Sequence, residues 1–400
     1  MGSERRDRVV LAVVVWCVLV SQVLLYPGLA DLVVALGASG IDAATAFLVA
    51  EVAAFVAFAS VWGALSDTTG RRLRWIVAGA VGGAASYLLL AALPALGVGF
   101  GVALAVRVVG GAFTIGAFSL AVTTLADLSG GNGRNMGAAG LAIGLGAALG
   151  AVVGGRLSTV DPLAPVVAAA GLLLLVAGLA ATVTERAPTC REMGLRAVVT
   201  GLKTRPALAV PYAFGFVDRL TAGFFALVGV FYFRTQFGLD AAGAGVVLAL
   251  FFLPFALLQY PLGVVSDRVG RFYPVVVGSV CYGVAIVGVG LAPSLGLAAG
   301  LMAVVGVFGA LVAPATMALA TDLVPDDERG VALGGFNVAG SLGFLAGFLV
   351  GGLAADTLGY LPSFLVVGGL EVAIAVVALR AVRRLEPFAD PEQGVHAADG

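Results

Sequence analysis

The sequence predicts an all-α integral membrane protein with twelve transmembrane helices, arranged as two six-helix halves related by a parallel pseudo-repeat. Three observations predict it: an apolar composition, twelve apolar segments, and motifs that recur at a nearly constant offset. Of 400 residues, 60% are hydrophobic and 11% charged, whereas roughly a quarter are charged in soluble domains. That much apolar surface has lipid as its natural solvent, and 400 residues hold about twelve spans of about 20 residues each. The 58 glycines suit helices that approach closely in a membrane.

In chain order, the apolar segments fall at 9–29, 44–65, 74–93, 98–125, 136–158, 163–184, 207–233, 241–264, 272–292, 295–320, 330–354 and 360–382. Charges or turn residues bound each one. The first follows Arg5, Arg6 and Arg8 but is too long for a signal peptide and lacks a clear cleavage site, so it reads as a mature span. The polar stretch 185–206 divides residues 1–184 from 207–384 as a linker, and 385–400 reads as a disordered tail. With the N-terminus inside, 18 of the 22 basic residues face the cytoplasm; Arg156 and Arg234 lie outside, and Arg107 and Arg219 lie within spans. That bias places both termini, the linker and the tail on the cytoplasmic side of the cell membrane.

Several chemistries are excluded. A net charge of −1 does not suit a nucleic-acid binder. Cys17, Cys190 and Cys281 are widely separated, which gives neither a disulfide framework nor a metal site. The one histidine, His396, lies in the tail and provides no base for a Ser-His or Cys-His pair. Leu202 precedes the one lysine, Lys203, so no phosphate-binding Gly-Lys loop exists. Gly144, Gly146 and Gly150 sit inside an apolar run rather than after a strand, as helix-packing glycines do. The chain is therefore read as a non-enzyme without a cofactor.

The halves echo each other. Gly63, Asp67, Gly70 and Arg71 recur as Gly263, Asp267, Gly270 and Arg271, each 200 residues on. Asp127 and Arg134 recur as Asp322 and Arg329, and Gly146, Gly150, Gly154 and Gly155 as Gly343, Gly347, Gly351 and Gly352. Three echoes in one order indicate duplication of a six-helix unit, one of the known transporter designs.

On these motifs, residues 8–384 resemble the major facilitator superfamily, whose G-x-x-x-D-x-x-G-R loop signature stands here in both copies. Arg107, within RVVGGAF, is similar to the family's helix 4 motif. GAALGAVVGG is similar to the helix 5 motif of its antiporter branch, with Ala151 where that motif has proline. The stretches LLYPGLADLVVALGAS and FVDRLTAGFF look like multidrug-efflux-type members. The resemblance implies alternating access, with helices 1, 4, 7 and 10 lining a central cavity.

The charged loops read as a gate latch. A carboxylate can bind the positive N-terminus of a neighbouring helix, and an arginine can grip a second carboxylate. Asp67 is expected to face the start of helix 11 while Arg71 pairs with Asp127; Asp267 should face the start of helix 5 while Arg271 pairs with Asp322. Five ionisable residues lie inside spans: Glu51, Arg107, Asp218, Arg219 and Glu371. Each costs about 3 kcal/mol on insertion scales, so each is a functional candidate. Arg107 and Asp218 fall near midspan, as partners or as a coupling pair; Asp218 and Arg219 point about 100° apart on a helix. Glu51 either titrates or is a buried hydrogen-bonding group, Glu371 reads as a packing or snorkelling residue, and Asp31 as an interfacial cap. The aromatics of helices 7 and 8 form no single stripe; those facing a cavity would suit an apolar ligand.

The expected function is export of small apolar or amphipathic molecules, by a monomer in the lipid bilayer, coupled to H+. The alternatives are a proton symporter for a sugar or organic anion, with Arg107 or Arg219 as anion clamp, and a non-transporting receptor or scaffold. A carboxylate that exchanges protons in a membrane needs desolvation, which favours the protonated form, and a cation whose approach favours release. Asp218 with Arg107 is the first candidate and Glu51 the reserve. The topology is checked by impermeant thiol labelling of intact cells: a cysteine at Gly238 should be modified and one at Thr200 protected. The reverse pattern overturns the orientation.

Overall fold

The computed structural model describes residues 2–128, 132–185, 202–325 and 328–385. Most of the linker and the tail beyond 385 lie outside the described residues, and with them Cys190, His396 and the linker arginines Arg186, Arg191 and Arg196. All regular structure among the described residues is helical, as expected where backbone polar groups must be satisfied within each segment.

The helices are α1 (Gly2–Val23), α2 (Leu29–Ala35), α3 (Gly40–Thr69), α4 (Arg72–Leu96), α5 (Phe100–Ala126), α6 (Asn132–Val160) and α7 (Ala164–Ala180). After the linker come α8 (Ala209–Phe224), a π-turn at Phe225–Gly229, α9 (Val230–Phe237) and α10 (Ala241–Val269). A second π-turn, Tyr273–Val277, leads into α11 (Gly278–Leu291), followed by α12 (Leu295–Asp322), α13 (Arg329–Leu358) and α14 (Tyr360–Leu385). Among the described residues, ten segments are long and apolar enough to cross a membrane. α1 carries Arg5, Arg6, Asp7 and Arg8 within its first two turns, and α7 is a shorter apolar helix. Two sequence expectations change in detail. The first apolar segment turns at 24–28 and continues as α2, and the segment 207–233 reaches Phe237 through its π-turn.

By packing, the chain forms two compact units: Met1–Arg191 with Phe225–Ala256, and Glu192–Phe224 with Leu257–Gly400. The first therefore includes a segment that follows the linker in sequence. In it α1 packs on α6 and α7, and α5 on α3 and α4. The α6 glycines Gly146, Gly150 and Gly154 recur every four residues on one face, and a methyl group added to each would strike α1 or the turn after it, at Trp16, Val20 and Leu24. Gly155, on the adjoining face, meets Ala241 at the start of α10.

In the second unit α8 packs on α13 and α14, and α11 on α12 and α14. Gly343 and Gly347 of α13 lie against the carbonyl oxygens of Phe216 and Leu220 of α8. The helix 5-type glycines and two of their echoes are thus packing seams.

Overpacking a core costs about 1–3 kcal/mol, and backbone cannot retreat as a flexible side chain can. Gly347→Val should lower the melting temperature and yield of purified protein. Gly171→Val, where an added methyl meets nothing within 4 Å, should change neither.

Candidate functional site

The loop joining α3 to α4 is shaped by Gly70, which ends α3 in the left-handed region (φ 63°) where other residues are strained. One turn earlier, α3 presents Ser66 and Asp67, with Gly63 four residues before Asp67. The cation that meets them is Arg72, the buried first residue of α4. Its Nη1 lies 2.6 Å from Asp127 Oδ2, its Nε donates to Ser66 Oγ at 3.3 Å, and its Nη2 stands 3.9 Å from Asp67. This corrects the expected Arg71–Asp127 pair: Arg71 is exposed and has not entered the helix.

The second copy builds the same set with the expected residue. Gly270 again takes positive φ (83°), Gly263 stands four residues before Asp267, and Arg271 binds Asp322 at 3.0 Å, Asp267 at 2.6 Å and Ser266 Oγ at 3.0 Å. Burial alone would lower the pKa of Arg271; the hydrogen bonds and charges of Asp267 and Asp322 outweigh it and raise it. Each copy is a serine, two aspartates and one arginine. The serines, missed in the sequence, are legible there as the Ser-Asp doublet that stands in both loops.

Inside the first unit, Arg107 of α5 is 3% exposed and bonds through Nη2 to Glu51 of α3, 1% exposed. The expectation that Arg107 pairs with Asp218 is replaced by this pair. Tyr87 of α4 donates to the other Glu51 oxygen at 3.4 Å, and the rings of Phe47 and Tyr87 lie 4.5 and 5.4 Å from the guanidinium, within cation–π range. Arg107 Nε has no hydrogen-bond partner among the described residues. A cavity of about 10 Å³, lined by Ser86, Tyr87, Leu90, Val106, Arg107 and Gly110, adjoins this cluster and is about the size of one water.

Inside the second unit, Asp218 of α8 is buried while the adjacent Arg219 is half exposed, its Nε 3.7 Å from Asp218, as expected of neighbours pointing apart. Glu371 of α14 is 1% exposed and accepts from Thr221 Oγ1 at 3.1 Å, so it packs inward and does not snorkel. Asp31 also departs from expectation. It is ion-paired within the first unit, binding Arg234 of α9 through both oxygens at 2.8 and 3.0 Å.

The long apolar helices are those of a multi-pass membrane protein. Residues 212–398 match the family model of the Major Facilitator Superfamily. An uncharacterized MFS-type transporter of Methanocaldococcus jannaschii is 30% identical over 166 residues, 41% of this chain and 42% of that one. Multidrug resistance protein MdtG of Escherichia coli is 30% identical over 181 residues, 43% of this chain and 44% of that one. These matches span less than half the length of the curated relatives. The crystal structure of a bacterial homolog of the human lysosomal transporter Spinster, inward-facing and unoccupied, is 15% identical but shares the fold over 97% of this chain and 95% of that one, with a TM-score of 0.74. Residues 212–398, just under half of the chain, are thus similar to that superfamily, and the solved structure shares the fold of nearly the whole chain.

Removing one member of a buried ion pair costs about 3–5 kcal/mol, because the other charge is left unpaired. Glu51→Leu and Arg107→Leu should each lower the melting temperature strongly, and the double variant should recover much of the loss. Additive losses would show that the two side chains do not act as a pair.

Proposed function

We propose that this protein exports small apolar or amphipathic molecules by proton-coupled alternating access of two six-helix halves, residues 1–184 and 207–384. α1 and α7 would complete a set of twelve spans around the ten long apolar segments. The observation that carries this reading is the duplicated serine–aspartate–arginine–aspartate set after α3 and after α10. Ion pairs at the ends of spans, made twice at equivalent positions of a repeat, suit contacts that form in one state and break in another. Such contacts set the balance between states rather than the binding of cargo.

The pairing of Arg107 with Glu51 revises the coupling scheme. Glu51 has its cation already in contact, so the pair is a neutral, fixed element of the first unit. Asp218 is also buried, and the cation beside it among the described residues is the half-exposed Arg219 at 3.7 Å, so it is the carboxylate that we assign to proton exchange. The likeness to a multidrug resistance protein supports apolar cargo. Transport of an organic anion remains the second reading, with Arg219 as its clamp because Arg107 is occupied; uptake rather than export in vesicles of known orientation would select it.

The test uses inverted membrane vesicles energised with a pH gradient and a lipophilic cationic dye as probe. Asp218→Asn should abolish gradient-driven accumulation and leave dye exchange measurable. Arg72→Ala and Arg271→Ala should each slow turnover about tenfold with little change in apparent affinity, while Arg71→Ala should not. Full gradient-driven transport in Asp218→Asn, with loss in Glu51→Gln, would move the proton site to α3. Wild-type turnover in both Arg72→Ala and Arg271→Ala would remove the latch.

A further inference from the structure

Three helices of the second unit bring polar side chains to one closed place. From α8 come Asp218 and, three residues on and hence on the same face, Thr221. From α14 comes Glu371, joined to Thr221 by the 3.1 Å hydrogen bond. From α11 comes Tyr282, fully buried, whose hydroxyl has no hydrogen-bond partner among the described residues and whose neighbour in the chain, Gly283, packs against Glu371. Ser279, three residues before Tyr282 on α11, is also fully buried, with no partner for its hydroxyl among the described residues. The charged side chain beside this group is Arg219, half exposed. α12 carries no charged residue before Asp322, and α13 none between Arg329 and Asp356.

Two ionised carboxylates in a desolvated site repel each other strongly unless a buried cation stands between them, so the second proton is lost with much more difficulty than the first. Here the hydroxyls can hydrogen-bond a carboxylate but cannot neutralise it. Beside Glu371, Gly283 and Gly368 bring the backbones of α11 and α14 into contact. A seam closed that tightly suits a proton, which needs no cavity, better than a metal ion needing several oxygens around it.

We propose that Asp218 and Glu371 form a carboxyl pair that shares one proton, with Glu371 as the positioning residue that sets how tightly Asp218 holds it and Tyr282 as the donor that receives the pair once the proton leaves. This rests on the assignment of Asp218 to proton exchange and extends it to a residue on the last helix. Release sends the proton to water and leaves two charges facing each other, so the pair takes a proton back readily.

The experiment is difference infrared spectroscopy of the protonated-carboxyl C=O stretch against pH, on the full chain in lipid, each variant compared with wild type. Coupled carboxyls lose their protons in two separated steps. Glu371→Gln and Asp218→Asn should each leave one step, with the remaining carboxyl holding its proton about tenfold or more less tightly than the last step of wild type. Tyr282→Phe should keep two steps and hold the last proton about tenfold more tightly. Glu371→Asp should restore two steps. A merely structural role for Glu371 would not give this reciprocal change. The proposal is overturned if the Asp218 step stays where it is in a monodisperse Glu371→Gln protein, if Tyr282→Phe leaves the last step unmoved, or if exchanging sodium for choline at fixed pH removes the signal. No transported compound enters the experiment, so its failure leaves the export reading standing, and failure of dye export leaves the pair standing.

Discussion

A charged or hydrogen-bonding group taken out of water must find its partner within the protein, and in a chain that is 60% hydrophobic partners are few. That scarcity organises the molecule. Threonine and serine hydroxyls in the spans mostly return to the carbonyl one turn before, as Thr114 does to Gly110 and Thr316 to Val312. Glu51 and Glu371 are instead met from other helices. Glu51 on α3 therefore determines how α3, α4 and α5 stand together, because Arg107 and Tyr87 converge on it. Glu371 does the same for α8 and α14 through Thr221.

Partners can converge only where backbones come close, and glycine supplies that. Gly111 of α5 lies against the backbone of Glu51, so the helix carrying Arg107 rests directly on the helix carrying its carboxylate. Gly283 and Gly368 do the equivalent beside Glu371. In a membrane, where lipid tails are as apolar as leucine, close packing and internal hydrogen bonds take over much of what hydrophobic burial does in water. Polar pairs and glycine seams thus work together: the seam fixes the distance at which the pair is strong, and the pair fixes the register of the seam.

The two compact units spend the same materials differently. The first neutralises its deep carboxylate with an arginine held between aromatic rings, an arrangement with its charge closed on itself. The second buries two carboxylates, Glu371 bonded to the Thr221 hydroxyl and Asp218 beside an arginine that is half in the open. A neutral pair resists titration, whereas a carboxyl group without a full counter-charge responds to the proton. The difference gives a physical reason to look for coupling in the second unit and for a fixed framework in the first.

Composition and periodicity were enough to determine a helical membrane protein, the order of its apolar segments and the two duplicated loops, because each depends on residues close together in the chain. Gly70 and Gly270 were legible for the same reason, since the turn needs a residue that accepts positive φ. Which arginine of the Arg71–Arg72 doublet enters the buried site was not: it depends on where α4 begins after that turn, and a shift of one residue moves a side chain about 100° around a helix. Tertiary structure alone decided the long-range partners. Glu51 meets Arg107 56 residues on, Thr221 meets Glu371 150 residues on, and Asp31 meets Arg234 203 residues on. No local pattern records such pairings, because a buried charge specifies that it needs a partner and leaves the packing of the helices to specify which.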